Sequence, residues 1–152
     1  MIPLRLSELA KLLDCPSPAE DIEVTAITTD SRTAAPGALF AALVGERFDG
    51  HDFTGAAAGL GASALLVSRP VDGDLPQLLV DDVLQALGRI AGLLRRKLDP
   101  KVVGITGSNG KTTVKEMVAA ILSCEGEVLA TQGNYNNELG APLTLFRLEP
   151  HH

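Results

Sequence analysis

Much that would classify this 152-residue sequence quickly is missing from it. No apolar run approaches the roughly 20 residues that a membrane-crossing helix needs. Met1 to Leu6 has no charged segment leading into an apolar one, as a secretory leader would. Membrane insertion and export are therefore not expected, and a cytoplasmic location is. Cysteine is scarce. Cys15 and Cys124 lie far apart without metal-ligand spacing. That excludes a disulfide-stapled scaffold and leaves reduced thiols as the economical expectation. Positive charge is not in excess: 13 Lys/Arg against 19 Asp/Glu give a net charge of −6. Such a chain is a poor match for sequence-independent nucleic-acid binding, which runs on neutralised phosphates. There is no internal repeat and no low-complexity tract. What is present is ordinary globular composition, 45% hydrophobic and 21% charged. A chain of this length hides roughly 70% of its unfolded surface.

The charge is unevenly spread. Residues 1–82 hold 5 Lys/Arg and 13 Asp/Glu, and residues 83–152 hold 8 and 6. Two units with different tasks are expected, 1–82 and 83–152. The first reads as mixed α and β. Leu6, Leu9, Leu12 and Leu13 fall on one helical face behind a possible Ser7 N-cap. Ile22, Val24 and Ala26 alternate with polar residues as in a half-buried strand. Ala38 to Val44 is an unbroken apolar run, as a fully buried strand would be. A short helix is expected over Thr54 to Leu60, and further strands over Ala62 to Val67 and Gln77 to Val80. Asp81-Asp82 then caps a helix whose stripe is Leu84, Leu87, Ala91, Leu94 and Leu98, with Asp99-Pro100 ending it.

The second unit opens with the β-branched run Lys101 to Thr106, followed by a glycine-rich loop and a helix from about Lys111 to Cys124. Glu127 to Thr131 reads as another strand, and Pro142 suits the first turn of a helix reaching Leu148. The fold class expected is α/β: a small mixed unit, then the start of a parallel-sheet unit. Two strands cannot close such a sheet, so the chain is expected to be a piece of a longer protein.

The strongest chemical signal is Gly104-Ile105-Thr106-Gly107-Ser108-Asn109-Gly110-Lys111-Thr112-Thr113. Between a β run and a helix, this is the setting of a phosphate-binding loop. Gly107 and Gly110 would let the backbone N–H groups wrap a polyphosphate, and the helix N-terminus adds its positive end. Lys111 can reach the phosphates, and the Thr112 hydroxyl can ligate Mg²⁺. The general pattern G-x-x-x-x-G-K-[ST] asks for glycine at 105, where this chain has Ile105. The alternative is a glycine-rich turn with a chance Gly-Lys-Thr. In the first unit, Ser31 and Arg32 lie on a loop between strands, where Arg32 could fork a diphosphate. A surface hydroxyl and a solvated cation are the alternative. His51, among Gly50, Asp52 and Phe53, is either a uridine or sugar contact or a hydrogen-bonded structural histidine. Asn134, Asn136 and Asn137 follow a strand end, where open α/β sheets place ligands, or else form a polar turn.

The loop Thr106-Gly107-Ser108-Asn109-Gly110-Lys111-Thr112-Thr113 resembles that of the Mur ligases and their folylpolyglutamate synthetase relatives, which form amide bonds at the expense of ATP. The segment Thr131-Gln132-Gly133-Asn134-Tyr135-Asn136-Asn137-Glu138-Leu139-Gly140-Ala141-Pro142-Leu143-Thr144 is similar to one that follows in the same family. Thr29-Asp30-Ser31-Arg32, Pro36-Gly37-Ala38-Leu39-Phe40 and Gly45 to Phe53 resemble the family's N-terminal UDP-binding domain. Phe48-Asp49-Gly50-His51-Asp52-Phe53 and Val114-Lys115-Glu116-Met117 are most similar to the branch that adds D-alanyl-D-alanine to UDP-N-acetylmuramoyl tripeptide in peptidoglycan precursor synthesis.

The resemblance implies a UDP-substrate-binding domain over 1–82 and a partial ATP-binding domain over 83–152. It implies ATP and Mg²⁺ as cofactors, and UDP-N-acetylmuramoyl peptide and D-alanyl-D-alanine as partners. Lys111 would be catalytic. Gly107, Ser108, Asn109, Gly110, Lys111, Thr112 and Thr113 would bind ATP, and Thr112 the metal. Ser31, Arg32, Gly45, His51, Asn134 and Asn137 would bind substrate. The full-length protein is expected to be monomeric, and the isolated chain inactive. The rivals are a Mur ligase adding the third peptide residue, a P-loop kinase, or a nucleotide-binding module without catalysis.

Overall fold

The computed structural model describes residues 1–133 and 137–152. They form two compact units, one built on Pro3–Ile90 and the other on Ala91–His152. The division falls inside a helix, between Ile90 and Ala91.

The first unit starts with strand β1 (Leu4–Arg5) and helix α1 (Leu6–Leu13), which buries Leu6, Leu9, Ala10 and Leu13. Ser7 is not its N-cap. Arg5 holds that position, and the Ser7 backbone N–H and hydroxyl both donate to the Asp21 carboxylate at 2.9 Å. A carboxylate across the chain thus satisfies the first turn, a partner no local pattern announces. Asp14, in the left-handed region at φ 57°, closes α1. β2 (Glu23–Val24) pairs antiparallel with β1.

The centre of the unit is a four-stranded, all-parallel sheet in the order β3 (Ala26–Thr28), β4 (Ala38–Ala41), β5 (Ala64–Val67), β6 (Gln77–Leu79). β4 and β5 are buried at every position. Their unbroken apolar sequences are what a parallel strand covered on both faces requires. With a period of two, Phe40, Ala42, Leu65 and Val67 join one cluster with Ala34, Ala57 and Ala62. Ala57 belongs to helix α2 (Thr54–Gly59), which covers that face. Leu39, Ala41, Ala64 and Leu66 are also buried and, by strand alternation, point to the other face.

Helix α3 (Val83–Leu98) runs from the first unit into the second. The Asp82 carboxylate accepts the Gln85 N–H at 3.0 Å, the capping expected of the Asp81-Asp82 pair. Its buried stripe is Val83, Ala86, Leu87, Ile90, Ala91 and Leu94. Leu84 and Leu98, expected in that stripe, are only half-buried.

The second unit contains α4 (Lys111–Leu122) and α5 (Gly140–Leu145), with Pro142 in the first turn of α5. Neither Lys101 to Thr106 nor Glu127 to Thr131 is a strand. Val102 and Val103 are 64% and 58% exposed, and no residue of α4 is buried. β-branched residues favour a strand only when a neighbour supplies ladder partners and a packed face. Among the described residues of this unit nothing does. The parallel sheet of this chain is therefore the first unit's. Both cysteines are free. No helix among the described residues is long and apolar enough to cross a membrane.

Candidate functional site

The expected site residues fall into two groups, each within its own unit. In the first unit they gather at the C-terminal ends of the parallel strands, where open α/β sheets place ligands. β3 runs into a 3-10 turn, Ser31–Thr33, whose preceding Asp30 accepts the Arg32 backbone N–H at 3.0 Å. Thr28 and Thr33 brace the turn through a 2.6 Å hydroxyl contact. Arg32, 86% exposed, has its fork turned onto Asp30, with Nε to Oδ1 at 2.9 Å and Nη2 to Oδ2 at 2.7 Å. The Arg32 guanidinium, then its backbone N–H, hold the Asp30 carboxyl at about 2, below its ordinary 3.8. Only the Nε and Nη2 edge of the guanidinium takes part in this contact with Asp30, so donors remain for a diphosphate.

β4 continues into a tight reversal. Gly45 N–H donates to the Phe48 carbonyl at 2.8 Å, and Val44 bridges Asp49. Gly50 N–H then donates to the Leu43 carbonyl at 2.7 Å. A Cβ on Gly50 would lie 2.7 Å from Leu43 N and 2.8 Å from Ala42 Cα, so only glycine fits this approach. The reversal delivers His51 into the interior.

The His51 side chain is 1% exposed, and both ring nitrogens are used. Nδ1 lies 2.6 Å from Asp49 Oδ1, while Nε2 accepts the Ser68 N–H at 3.0 Å and meets Ser68 Oγ at 3.3 Å. The ring is therefore neutral, with its proton on Nδ1, because Nε2 is an acceptor. Of the two alternatives left open by sequence, the geometry places a hydrogen-bonded structural histidine here. The Asp49 carboxyl is held at about 2 by the His51 backbone and ring N–H groups first, and by Arg69 after them. Arg69 Nη2 sits 2.7 Å from Asp49 Oδ2. Sequence reasoning missed Arg69. The signal was its place two residues beyond β5, at the strand end where ligands collect.

In the second unit, Gly107 (φ 153°) and Gly110 (φ 75°) take positive φ on either side of Ser108-Asn109. Gly110 is the N-cap of α4, and nothing lies within 4 Å of a Cβ built there. Ser108, Asn109, Thr112 and Thr113 are exposed. Lys111 turns back over the loop, its Nζ donating to the Gly107 carbonyl at 2.5 Å. An exposed glycine-rich loop at a helix start, with a lysine turned over it, is a setting that can take a polyphosphate. Lys115, one turn on, donates to the Thr131 carbonyl and ties α4 to the segment before Gln132. The Asn137 side chain accepts the Gly140 N–H at 2.7 Å, at the start of α5. Asn134 and Asn136 lie outside the described residues. Glu127, His151 and His152 bring ligand atoms within 4.8 Å of one another. His152 Nδ1 already accepts the Glu149 N–H, however, and Glu127 pairs with His151 at 2.8 Å.

Comparison with known proteins gives a consistent picture. The Mur ligase family, catalytic domain, matches residues 23–95, and the Mur ligase middle domain matches residues 105–152. The UDP-N-acetylmuramoyl-tripeptide–D-alanyl-D-alanine ligase of Escherichia coli (strain K12) is 53% identical over 99% of this chain and 33% of its own length. The protein of that name from Synechocystis is 46% identical over 93% of this chain and 32% of its own. Among solved structures, MurF from Acinetobacter baumannii superposes with a TM-score of 0.91 at 39% identity, over 100% of this chain and 34% of that one. MurF ligase from Thermotoga maritima in complex with ADP gives 0.74 at 36% identity, over 80% and 28%. The chain spans about a third of the length of the relatives it matches.

Proposed function

Because this chain belongs to the Mur ligase family, we propose that it supplies the UDP-substrate-binding unit and the phosphate loop of an ATP-dependent ligase. The reaction joins D-alanyl-D-alanine to UDP-N-acetylmuramoyl tripeptide. The tripeptide carboxylate takes a phosphoryl group from ATP, the D-alanyl-D-alanine amine attacks the acyl phosphate, and phosphate leaves. Such a transfer asks the protein for position and charge neutralisation more than for covalent chemistry.

The supporting observation is the pairing of two features. One is a glycine loop held open by Gly110 at φ 75° under the ammonium of Lys111. The other is a parallel-sheet edge that collects Ser31, Arg32, Gly45 and the Asp49–His51 pair. Lys111 is the cation that would meet developing phosphoryl charge, and Gly107 to Thr113 offer backbone N–H groups. Thr112 is the residue that would hold Mg²⁺, which supplies further charge neutralisation when bound. Ser31 and Arg32 serve the UDP-linked substrate from the first unit. Gly45 and His51 serve by shaping the edge, His51 from beneath it. Asn134 and Asn137 are assigned to the substrate as well. A monomeric, cytoplasmic full-length protein completes the reading.

The experiment is Lys111→Ala in the full-length protein, read as phosphate release dependent on D-alanyl-D-alanine. Removing a cation from developing charge costs on the order of 10²-fold or more in rate. Near-wild-type turnover would take Lys111 out of the reaction and return the loop to a chance Gly-Lys-Thr.

A further inference from the structure

We propose that Arg69 is an anion-binding residue of the first unit, preorganised by His51 and Asp49 to take the phosphate groups of a nucleoside diphosphate. The proposal rests on the reading of this unit as the one that binds the UDP-linked substrate.

Arg69 is fixed at both ends by the same buried ring. Its backbone neighbour Ser68 donates its N–H to His51 Nε2 at 3.0 Å. Its guanidinium meets Asp49 Oδ2 at 2.7 Å, and the other oxygen of that carboxylate takes His51 Nδ1–H at 2.6 Å. The chain of contacts therefore runs from a ring 1% exposed, through a carboxylate 27% exposed, to a guanidinium 51% exposed. Burial increases inward, and the charge is presented outward.

Stability alone gives little reason for this arrangement, because half-exposed ion pairs contribute little to it. Holding a cation in place before a ligand arrives does give one, since the ordering of the side chain is then not charged against binding. Asp49 engages one edge of the guanidinium. A guanidinium carries five N–H donors, so donors remain for the forked geometry that phosphate prefers. Location agrees. Arg69 follows Val67, the last residue of β5, at the same sheet edge that carries Asp30 to Arg32 after β3. Residues 1–82 hold only 5 Lys/Arg against 13 Asp/Glu. A diphosphate approaching that surface must rely on local donors, because the long-range field opposes it.

The test is calorimetric titration of the 152-residue chain with UDP and with uridine. Arg69→Ala is expected to weaken UDP binding about 10- to 100-fold and to leave uridine binding unchanged. Arg69→Lys restores part of the loss, since an ammonium cannot fork. Asp49→Asn leaves the Arg69 charge in place but removes the carboxylate that holds the guanidinium, and gives an intermediate loss for UDP alone. Amide spectra that match wild type away from residues 44–51 and 66–71 show that each variant folds. Should Arg69→Ala fail to fold, Arg69→Lys and Asp49→Asn carry the test. UDP binding undiminished in these variants overturns the role of Arg69 alone. Absence of UDP binding by the wild-type chain overturns the reading of the unit, and this proposal with it.

Discussion

Replacing Gly50 with alanine tests the local geometry on which the first unit's site depends. The added Cβ would lie 2.7 Å from Leu43 N, 2.8 Å from Ala42 Cα and 2.8 Å from Leu43 O. All three are backbone atoms, and they continue directly from buried β4, so no side chain can rotate away to make room. Relief must come from displacing residues 49–51, which stretches the 2.7 Å bond from Gly50 N–H to the Leu43 carbonyl. Overpacking of this kind costs about 1–3 kcal/mol, and a weakened hydrogen bond adds about 1 kcal/mol. A total of about 2–4 kcal/mol corresponds to a fall in melting temperature on the order of 10–30 °C for a unit of this size. Gly55→Ala is the control. It lies in α2 with nothing within 4 Å of the built Cβ, and alanine is favoured over glycine in a helix by about 1 kcal/mol. Thermal unfolding followed by circular dichroism on both variants settles the matter. Equal melting temperatures for Gly50→Ala and wild type would refute the reasoning.

Two further outcomes are expected, one at Asp49 and one at the start of α3. The Asp49 carboxyl, held at about 2 by His51 and Arg69, lies below its ordinary 3.8. A lowered folded-state value adds stability that is complete above the unfolded value and is lost as pH falls through about 2. The stability gap between wild type and Asp49→Asn should therefore narrow steadily between about pH 5 and pH 2, and a gap independent of pH in chemical denaturation would contradict it. Asp82→Ala removes the acceptor of the Gln85 N–H and should cost about 1 kcal/mol, as loss of an N-cap does. Denaturant midpoints measure this, and an unchanged midpoint would mean that the cap is replaced by solvent.

Where structure is set by neighbours in sequence, the sequence was readable. α3 follows from its apolar spacing and its Asp82 cap, and β4 and β5 from unbroken apolar runs that only a doubly covered strand tolerates. The loop around Gly110 was legible for the same reason, since glycine before Lys111 answers a local need for positive φ. Non-local pairing was not legible. Asp21, which satisfies the start of α1, is fourteen positions from Ser7, and Ser68, which fixes the His51 ring, is seventeen from it. The Asp49–His51 contact spans two residues and could have been read as a turn. What that pair holds in place, Arg69, required the sheet to be known. Lys101 to Thr106 and Glu127 to Thr131 show the converse, because β propensity without a paired neighbour produces no strand.

Full-length protein is mixed with ATP, Mg²⁺ and UDP-N-acetylmuramoyl tripeptide, and phosphate release is followed with and without D-alanyl-D-alanine. The expected result is release that depends on D-alanyl-D-alanine, matched one for one by a product whose mass equals the two substrates joined with loss of water. Phosphate released at the same rate without D-alanyl-D-alanine, or a phosphorylated product with no amide formed, would contradict it.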